Sequence, residues 1–260
     1  MTFYSYSRLK CFNQCPQKYK FQYIDKVKVE VKENIELFLG KRVHETLKKL
    51  YQDLWYKRLN SLRQLLNFLY NTWSKNWYDS IKITKEEYNH EDYLKMADKY
   101  ITGYYERNYP FNHSRTIALE KRIIIDLNGT KNHQLCVYID RINKTKDREY
   151  HIHDYKTCSK MPSNEYFQND WQLPLYAFVL KERIPYIKNI CLVWHLLKFN
   201  KKIKISRSNE DLEKVKKDII RFINTIENTK EFPSKHSKLC EWCKFKSICN
   251  QVNFIMNNNK

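Results

Sequence analysis

The first part of the chain carries apolar residues at helical spacing. Between residues 35 and 59, leucine and valine recur with a period near 3.6, which predicts one long amphipathic helix. Residues 61–80 and 86–108 show a similar spacing, with tyrosine and tryptophan on the apolar faces. Ser5 and Ser7 are candidate caps of a shorter helix before them. The segment 1–112 is therefore predicted to be helical.

The period then changes to two, which predicts β-strands. From residue 117 to residue 127, apolar and charged side chains alternate until Lys121 interrupts the apolar face. Asn128-Gly129 is typical of a hairpin turn. The later elements follow from the same patterns: strands at 134–142, 149–157 and 187–197, and helices near 164–183 and at 209–228. The predicted fold class is α/β (α+β), with a central mixed β-sheet flanked by helices.

All 260 residues are interpreted as a single domain, because no low-complexity linker or internal repeat divides them. This domain has a helical amino-terminal part (1–112), a sheet core (113–208), and a helix followed by a cysteine-rich tail (209–260).

The charge is strongly positive: 48 Lys and Arg residues oppose 29 Asp and Glu residues, which gives a formal net charge of +19. Such an excess indicates a polyanionic partner, with nucleic acid the first candidate. A biased nucleotide composition of the coding genome is the alternative, because Lys, Asn and Ile are all abundant. A basic run at 198–207 is interpreted as a hairpin tip, either solvated or lying along a phosphate backbone.

Other function classes are disfavoured by composition. Only three glycines occur, so glycine-rich phosphate loops and dinucleotide-binding loops are excluded. No run of about 18 apolar residues and no secretory signal is visible, so we expect a cytoplasmic protein without a membrane partner.

Asp154 and Lys156 are the first candidates for chemistry. They are two positions apart in a predicted strand, so both side chains point to one face. Asp140 ends the preceding strand, and pairing of the two strands would bring both carboxylates side by side. Two carboxylates and a lysine suit a magnesium-dependent phosphodiesterase. A single D-x-K triplet arises often by chance in a lysine-rich chain, so the interpretation depends on the remaining motifs.

The tail carries a second candidate site. Cys240, Cys243 and Cys249 have the spacing C-x2-C-x5-C, which is typical of metal or cluster binding. Zinc would accept a histidine such as His236 as the fourth ligand. An iron–sulfur cluster would prefer a fourth cysteine, and Cys15 would serve.

Six short motifs occur in a fixed order along nearly the whole chain. They are Tyr6-Ser7-Arg8-Leu9 with Cys15-Pro16, Gly40-Lys41-Arg42-Val43-His44, Ile139-Asp140-Arg141-Ile142, Asp154-Tyr155-Lys156-Thr157, Gln172-Leu173-Pro174-Leu175-Tyr176, and the tail cysteines. In this order they resemble the PD-(D/E)XK nuclease superfamily, in its RecB-like exonuclease branch, which includes CRISPR-associated exonucleases. The resemblance implies a restriction-endonuclease-like core and a metal-dependent exonuclease acting on single-stranded DNA ends, in recombination, repair, phage replication or CRISPR adaptation.

The resemblance also implies a role for each motif residue. Mg²⁺ or Mn²⁺ would be bound by His44, Asp140, Asp154 and the backbone carbonyl of Tyr155. The histidine favours Mn²⁺, the softer ion. Lys156 would orient the nucleophile and stabilise charge on the phosphate, while Gln172 and Tyr176 would complete the catalytic set by positioning substrate or bracing the site. On pattern alone, His44 is a surface or packed histidine, and Glu120 has a surface or supporting role.

The resemblance implies a structural 4Fe–4S cluster held by Cys15, Cys240, Cys243 and Cys249. Cys11 competes with Cys15 for the fourth position, although the Cys-Pro context favours Cys15. Val137 stands where the family usually has a glycine before the first metal aspartate. This departure favours an alternative: a nucleic-acid-binding module that keeps the fold and cluster without full activity. A helicase or an integrase is the kind of protein partner that the resemblance suggests.

Overall fold

The computed structural model describes residues 2–30, 33–127 and 133–249. The chain divides into two compact units. Unit 1 comprises Met1–Val31, Asp126–Cys136 and Lys216–Lys260, and unit 2 comprises Lys32–Ile125 and Val137–Val215. The predicted three-part nuclease domain stays a prediction. The predicted Asn128-Gly129 turn lies outside the described residues.

Unit 1 begins with a short strand and two short helices. They are β1 (Thr2–Tyr4), α1 (Tyr6–Gln14) and α2 (Pro16–Tyr19), followed by a π-helical segment (Lys20–Ile24). The hydroxyl of Ser5 accepts the backbone N–H of Arg8 and caps α1, as the sequence predicts. Cys15 is the cap residue between α1 and α2.

Three helices open unit 2. They are α3 (Ile35–Trp55), α4 (Leu62–Asn76) and α5 (His90–Asn108). Asn34 caps α3, and capping boxes at Ser61 and Asn89 begin the other two, which places each start close to its predicted position. The apolar faces of the three helices pack into one core that also includes Tyr155 of the sheet.

The sheet is mixed, as predicted. Its remaining strands are β2 (Arg115–Asp126), β3 (His133–Lys144), β4 (Tyr150–Lys156), β5 (Ile190–Leu196) and β6 (Lys201–Arg207). β3 is antiparallel to β4, β4 is parallel to β5, and β5 is antiparallel to β6. β2 pairs with β3, and in unit 1 the start of β3 pairs in parallel with β1. The basic run at 198–207, predicted as a hairpin tip, lies mostly in β6, which pairs with β5. Ile203 and Ile205 alternate with its lysines, as expected for a strand.

Three more α-helices follow in the described chain: α6 (Asn164–Asn169), α7 (Gln172–Arg183) and α8 (Asn209–Asn228). The single helix predicted near 164–183 is thus two helices. The break occurs because the carboxylate of Asp170 accepts the backbone N–H of Leu173 and starts a new helix there. α7 lies against β4 and β5. The predicted fold class, a mixed sheet flanked by helices, is confirmed. No described helix is long and apolar enough to cross a membrane.

Candidate active site

The strand register brings the two predicted aspartates to one face of the sheet. Arg141 of β3 pairs with His153 of β4. One step further along this antiparallel register, Asp140 faces Asp154, and directly opposed residues point to the same side. The carboxylate of Asp140 accepts the backbone N–H of Tyr155 at 3.0 Å. This bond fixes Asp140 against the backbone of the D-x-K strand.

His44 reaches the same point from α3. Its Nδ1 lies 3.5 Å from Oδ2 of Asp140, and its Nε2 lies 2.9 Å from the carbonyl oxygen of Tyr155. Burial opposes the charged ring, but the Asp140 carboxylate raises the pKa of His44 to about 9. The ring is therefore an imidazolium that donates toward both oxygens. Burial also opposes ionisation of Asp140, but the His44 charge holds the pKa of Asp140 below its ordinary value.

Glu120 is the third member of this group. One ligand atom each of His44, Glu120 and Asp140 lies within 4.8 Å of the others. Burial beside the Asp140 charge raises the pKa of Glu120. Its backbone has a φ of 45°, a left-handed conformation that non-glycine residues adopt at a cost. The sequence interpretation gave Glu120 no ligand role; the available signal was the interruption of the apolar alternation at Lys121.

Asp154 lies outside that group of three and contacts Lys156 instead. Oδ2 of Asp154 is 2.8 Å from the Lys156 ammonium. Burial raises the pKa of Asp154, and the Asp140 charge adds to the effect, although Lys156 opposes both. Burial disfavours the Lys156 cation, but Asp154 raises the pKa of Lys156 above its usual value. The lysine therefore stays charged inside the site.

Gln172 and Tyr176 extend this contact along α7. The ammonium of Lys156 donates to Oε1 of Gln172 at 2.7 Å, and Nε2 of Gln172 donates to the Tyr176 hydroxyl at 3.1 Å. The two residues are one turn apart, so they share a helix face. Burial raises the pKa of Tyr176 to about 12, so the phenol keeps its proton at neutral pH. The structure thus joins Asp154 to Lys156 by an ion pair, and Lys156 to Gln172 and Tyr176 by successive hydrogen bonds.

The valine at the usual glycine position does not face solvent. Val137 is only 1% exposed and belongs to the buried core of the sheet. A side chain at this depth packs inside the protein, and an added β-carbon there does not project from the surface.

The four predicted cluster cysteines share one cavity of unit 1. Its volume is about 40 Å³, and its lining includes Cys15, Cys240, Cys243 and Cys249, together with His236. Cys11 is buried and does not line this cavity. The backbone N–H groups of Lys18 and Lys235 donate to Sγ of Cys15, both at 3.5 Å.

Several solved structures are similar to this chain. A crystal structure of a "Putative exonuclease" from Eubacterium rectale has a TM-score of 0.54 and 12% identity, and the match covers 94% of this chain and 87% of that chain. At this identity the likeness shows the fold alone. The crystal structure of SSO0001 gives a TM-score of 0.44 at 12% identity, over 95% of this chain and 85% of that chain. No curated protein matches the sequence.

The family is shown by sequence. The model of the PD-(D/E)XK nuclease superfamily matches residues 4–250. The chain belongs to the PD-(D/E)XK nuclease superfamily. This confirms the superfamily predicted from the order of the motifs, whereas the RecB-like branch and the cluster stay predictions.

Proposed function

We propose that this protein is a metal-dependent DNA nuclease of the RecB-like branch, which degrades single-stranded DNA from its ends. The observation that carries the proposal is the meeting of His44, Glu120 and Asp140 within 4.8 Å, beside a strand that holds Asp154 and Lys156. Membership of the superfamily supports phosphodiester hydrolysis.

The donor set fits a divalent cation. Carboxylate and carbonyl oxygens are the ligands that Mg²⁺ prefers, and an added imidazole suits Mn²⁺. His44 binds a metal only as the neutral ring, so a bound cation would take the place of the His44 proton beside Asp140 and the Tyr155 carbonyl. When bound, a divalent ion neutralises charge on the scissile phosphate and activates the attacking water.

The chain's own residues supply positioning. His44, Asp140 and the Tyr155 carbonyl would hold the ion, with Glu120 as an additional ligand. Asp154 would complete the metal site from the neighbouring strand while it holds the Lys156 ammonium. That ammonium is placed to stabilise charge on the phosphate oxygens.

Gln172 and Tyr176 act behind Lys156. Because Gln172 accepts from the ammonium and donates to the phenol, it fixes the direction of the lysine side chain. The pair would therefore position the lysine and, with it, the phosphate.

The choice of DNA ends follows the RecB-like resemblance, and the net charge of +19 favours a polyanionic substrate. The same resemblance supports a role in recombination, repair, phage replication or CRISPR adaptation, beside a helicase or an integrase.

The test compares single strands labelled at the 5′ or the 3′ end with circular single strands, in Mg²⁺, in Mn²⁺ and in EDTA. Wild-type protein should release label from linear strands only when metal is present. Asp154→Ala and Lys156→Ala should abolish release and keep DNA binding in a gel-shift assay. Glu213→Ala, an exposed change on α8, is the matched control. Unchanged cleavage by Asp154→Ala would overturn the site, and equal cleavage of circles would overturn the preference for ends.

We also propose that unit 1 holds a 4Fe–4S cluster on Cys15, Cys240, Cys243 and Cys249. Four thiolates around one zinc ion stand about 3.8 Å apart, given a Zn–S distance of about 2.3 Å. Among the described residues, no three of these cysteines have sulfurs within 4.8 Å of one another, with or without His236. The proposal of a cluster rests on the motif spacing and on the cavity that the four cysteines share.

Anaerobic purification tests the cluster. The protein should be brown and contain iron and sulfide. Cys15→Ser should lose the iron, whereas Cys11→Ser, a matched change four residues away, should keep it. A colourless protein that contains zinc would contradict the proposal without affecting the nuclease site.

A further inference from the structure

A second polar site lies on the other face of the sheet. Side chains alternate along each strand, so Arg141 and His153 point away from the face that carries Asp140 and Asp154. The registers β3–β4, β4–β5 and β5–β6 place His195 and Lys202 on that same face. A cavity with a volume of about 540 Å³ opens there within unit 2.

The floor of this cavity is a buried network with unused donors. Arg141, His153 and His195 are 3%, 6% and 1% exposed. A guanidinium only donates, so Nδ1 of His153 accepts from Arg141 at 2.9 Å, and also from Nε2 of His195 at 2.8 Å. The proton of His153 is therefore on Nε2. This N–H, the Nε of Arg141 and the Nδ1 of His195 are buried and have no hydrogen-bond partner among the described residues. The first two are donors, and the Nδ1 of His195 is an acceptor.

The network is surrounded by cations. Burial, together with the charges of Arg141, Arg107, Lys202 and Lys204, lowers the pKa of His195 well below its ordinary value. Within the described chain, none of these four cations has a carboxylate in ion-pair range. Arg141 is buried, and a buried cation without a counterion is costly, whereas Lys202 and Lys204 are exposed where they line the cavity. The arrangement is therefore complementary to an anion.

Two carboxylates, Asp147 and Glu149, also line the cavity. Glu149 bonds to Nε2 of His151 at 2.7 Å, so it does not neutralise Arg141. The guanidinium of Arg141 instead lies over the ring of Tyr51, with its central carbon 3.7 Å from the ring centroid. This stacking fixes the plane of the guanidinium, and a fixed guanidinium suits bidentate binding of phosphate.

The volume indicates what kind of anion binds. A cavity of about 540 Å³ is in the range of small-molecule sites and is far larger than one phosphate group needs. Asn108, Ser114 and Thr145 add an amide and two hydroxyls to the lining, and Phe111 adds an aromatic ring. These groups suit a sugar and a base beside the phosphate.

We propose that this cavity binds a nucleoside monophosphate, with its phosphate on Arg141, His153, Lys202 and Lys204. The proposal is independent of the nuclease activity, because the catalytic carboxylates lie on the opposite face of the sheet. Binding is expected without any divalent metal.

Isothermal titration calorimetry on the full chain, in phosphate-free buffer with EDTA, tests the site. The three probes are deoxyadenosine monophosphate, inorganic phosphate and deoxyadenosine. The monophosphate should bind, phosphate should bind at least tenfold more weakly, and the nucleoside should give no signal. The double variant Lys202→Gln/Lys204→Gln should weaken binding at least fivefold. Lys201→Gln, on the opposite face of the same strand, and Lys156→Gln, at the catalytic face, should not.

Each other outcome overturns the proposal. No binding to wild type would exclude the site. Equal affinity for phosphate and monophosphate would leave only an anion site and reject the nucleotide. If Lys201→Gln weakened binding of the monophosphate as much as the double variant does, the effect would be one of general charge. If Lys156→Gln abolished binding, the ligand would lie at the catalytic face. Circular dichroism on each variant separates a lost ligand from a lost fold. The titration measures binding and not cleavage, so failure of the proposed nuclease activity and failure of the proposed nucleotide site can be told apart.

Discussion

Glu120 gives the candidate metal site its additional carboxylate. His44 and Asp140 stabilise each other as an ion pair, and each shifts the pKa of the other toward its charged form. Glu120 belongs to the same group of ligand atoms within 4.8 Å, and burial together with the Asp140 charge raises the pKa of its carboxyl. A cation that replaces the proton on His44 would also relieve the repulsion between the two acids.

Glu120→Gln should therefore weaken Mn²⁺ binding by about 10- to 100-fold, the range seen when a metal site loses a supporting group. The amide keeps the shape of the side chain and removes its charge. Titration of Mn²⁺ followed by electron paramagnetic resonance measures the change. Glu213→Gln on α8 is the control, and equal affinities in the two variants would contradict a ligand role for Glu120.

Arg107 shows the stability cost of unpaired cations. All three nitrogens of its guanidinium are buried and have no hydrogen-bond partner in the part of the chain that the structure describes. Burial lowers the pKa of Arg107. A cation in this environment destabilises the folded state.

Arg107→Met should raise the free energy of unfolding by about 1 kcal/mol in phosphate-free buffer, because it removes unsatisfied buried donors. Urea denaturation followed by fluorescence gives the value. Arg63→Met, on α4, tests whether any loss of charge has the same effect. A destabilised Arg107→Met would mean that the guanidinium has a partner.

At the scale of elements, the end of α3 depends on one carboxylate. Asp53 is 4% exposed and accepts from Lys49 at 2.5 Å, from Asn60 at 2.8 Å and from Arg58 at 3.2 Å. Burial opposes ionisation, but the bond from Lys49 and the other two partners hold the pKa of Asp53 below its ordinary value. This cluster anchors the helix that carries His44.

Asp53→Asn should lower the free energy of unfolding by about 1–3 kcal/mol at neutral pH, since a charge-assisted network loses its acceptor. The folded pKa lies below the unfolded value, so this contribution is complete above the unfolded pKa of about 3.9 and is lost as the pH falls through the folded pKa. Unfolding of wild type and variant at pH 7 and pH 3 should show the gap closing in acid. Asp79→Asn, an exposed change, should show no gap, and a gap for Asp53→Asn that is as large at pH 3 as at pH 7 would rule out ionisation as its cause.

Regular patterns allowed much of this fold to be predicted. Alternation in two short segments was enough to place Asp140 and Asp154 on one face, and capping residues located the long helices. Irregular positions could not be predicted in this way. Glu120 directly precedes a break in the alternation, and the Asp170 cap divides a segment whose apolar pattern is continuous. The cavity beside Arg141, His153 and His195 depends on which residues of the sheet the helices leave uncovered. This is a tertiary property that no local pattern encodes.

At the scale of the whole molecule, net charge is the property that bears on function. The excess of +19 supports a nucleic-acid partner, and genome composition is the alternative explanation. The two explanations differ in salt dependence, because only phosphate contacts release condensed counterions on binding.

Affinity for a labelled single strand should fall on the order of 300-fold between 50 and 200 mM salt, if about six phosphates are contacted. Fluorescence anisotropy in EDTA measures binding without cleavage. A duplex of the same sequence provides the comparison for strand preference. A flat response to salt would favour compositional bias and weigh against an extended basic surface.

The left-handed backbone at Glu120 implies a compromise between the stability of the fold and the activity of the site. Glycine would adopt that conformation freely, so exchanging Glu120 for glycine should make the chain more robust while it impairs the chemistry. Selection for thermal stability alone would then favour the loss of Glu120 and with it of activity. A glutamate retained at this position despite its cost to stability would therefore indicate a functional role.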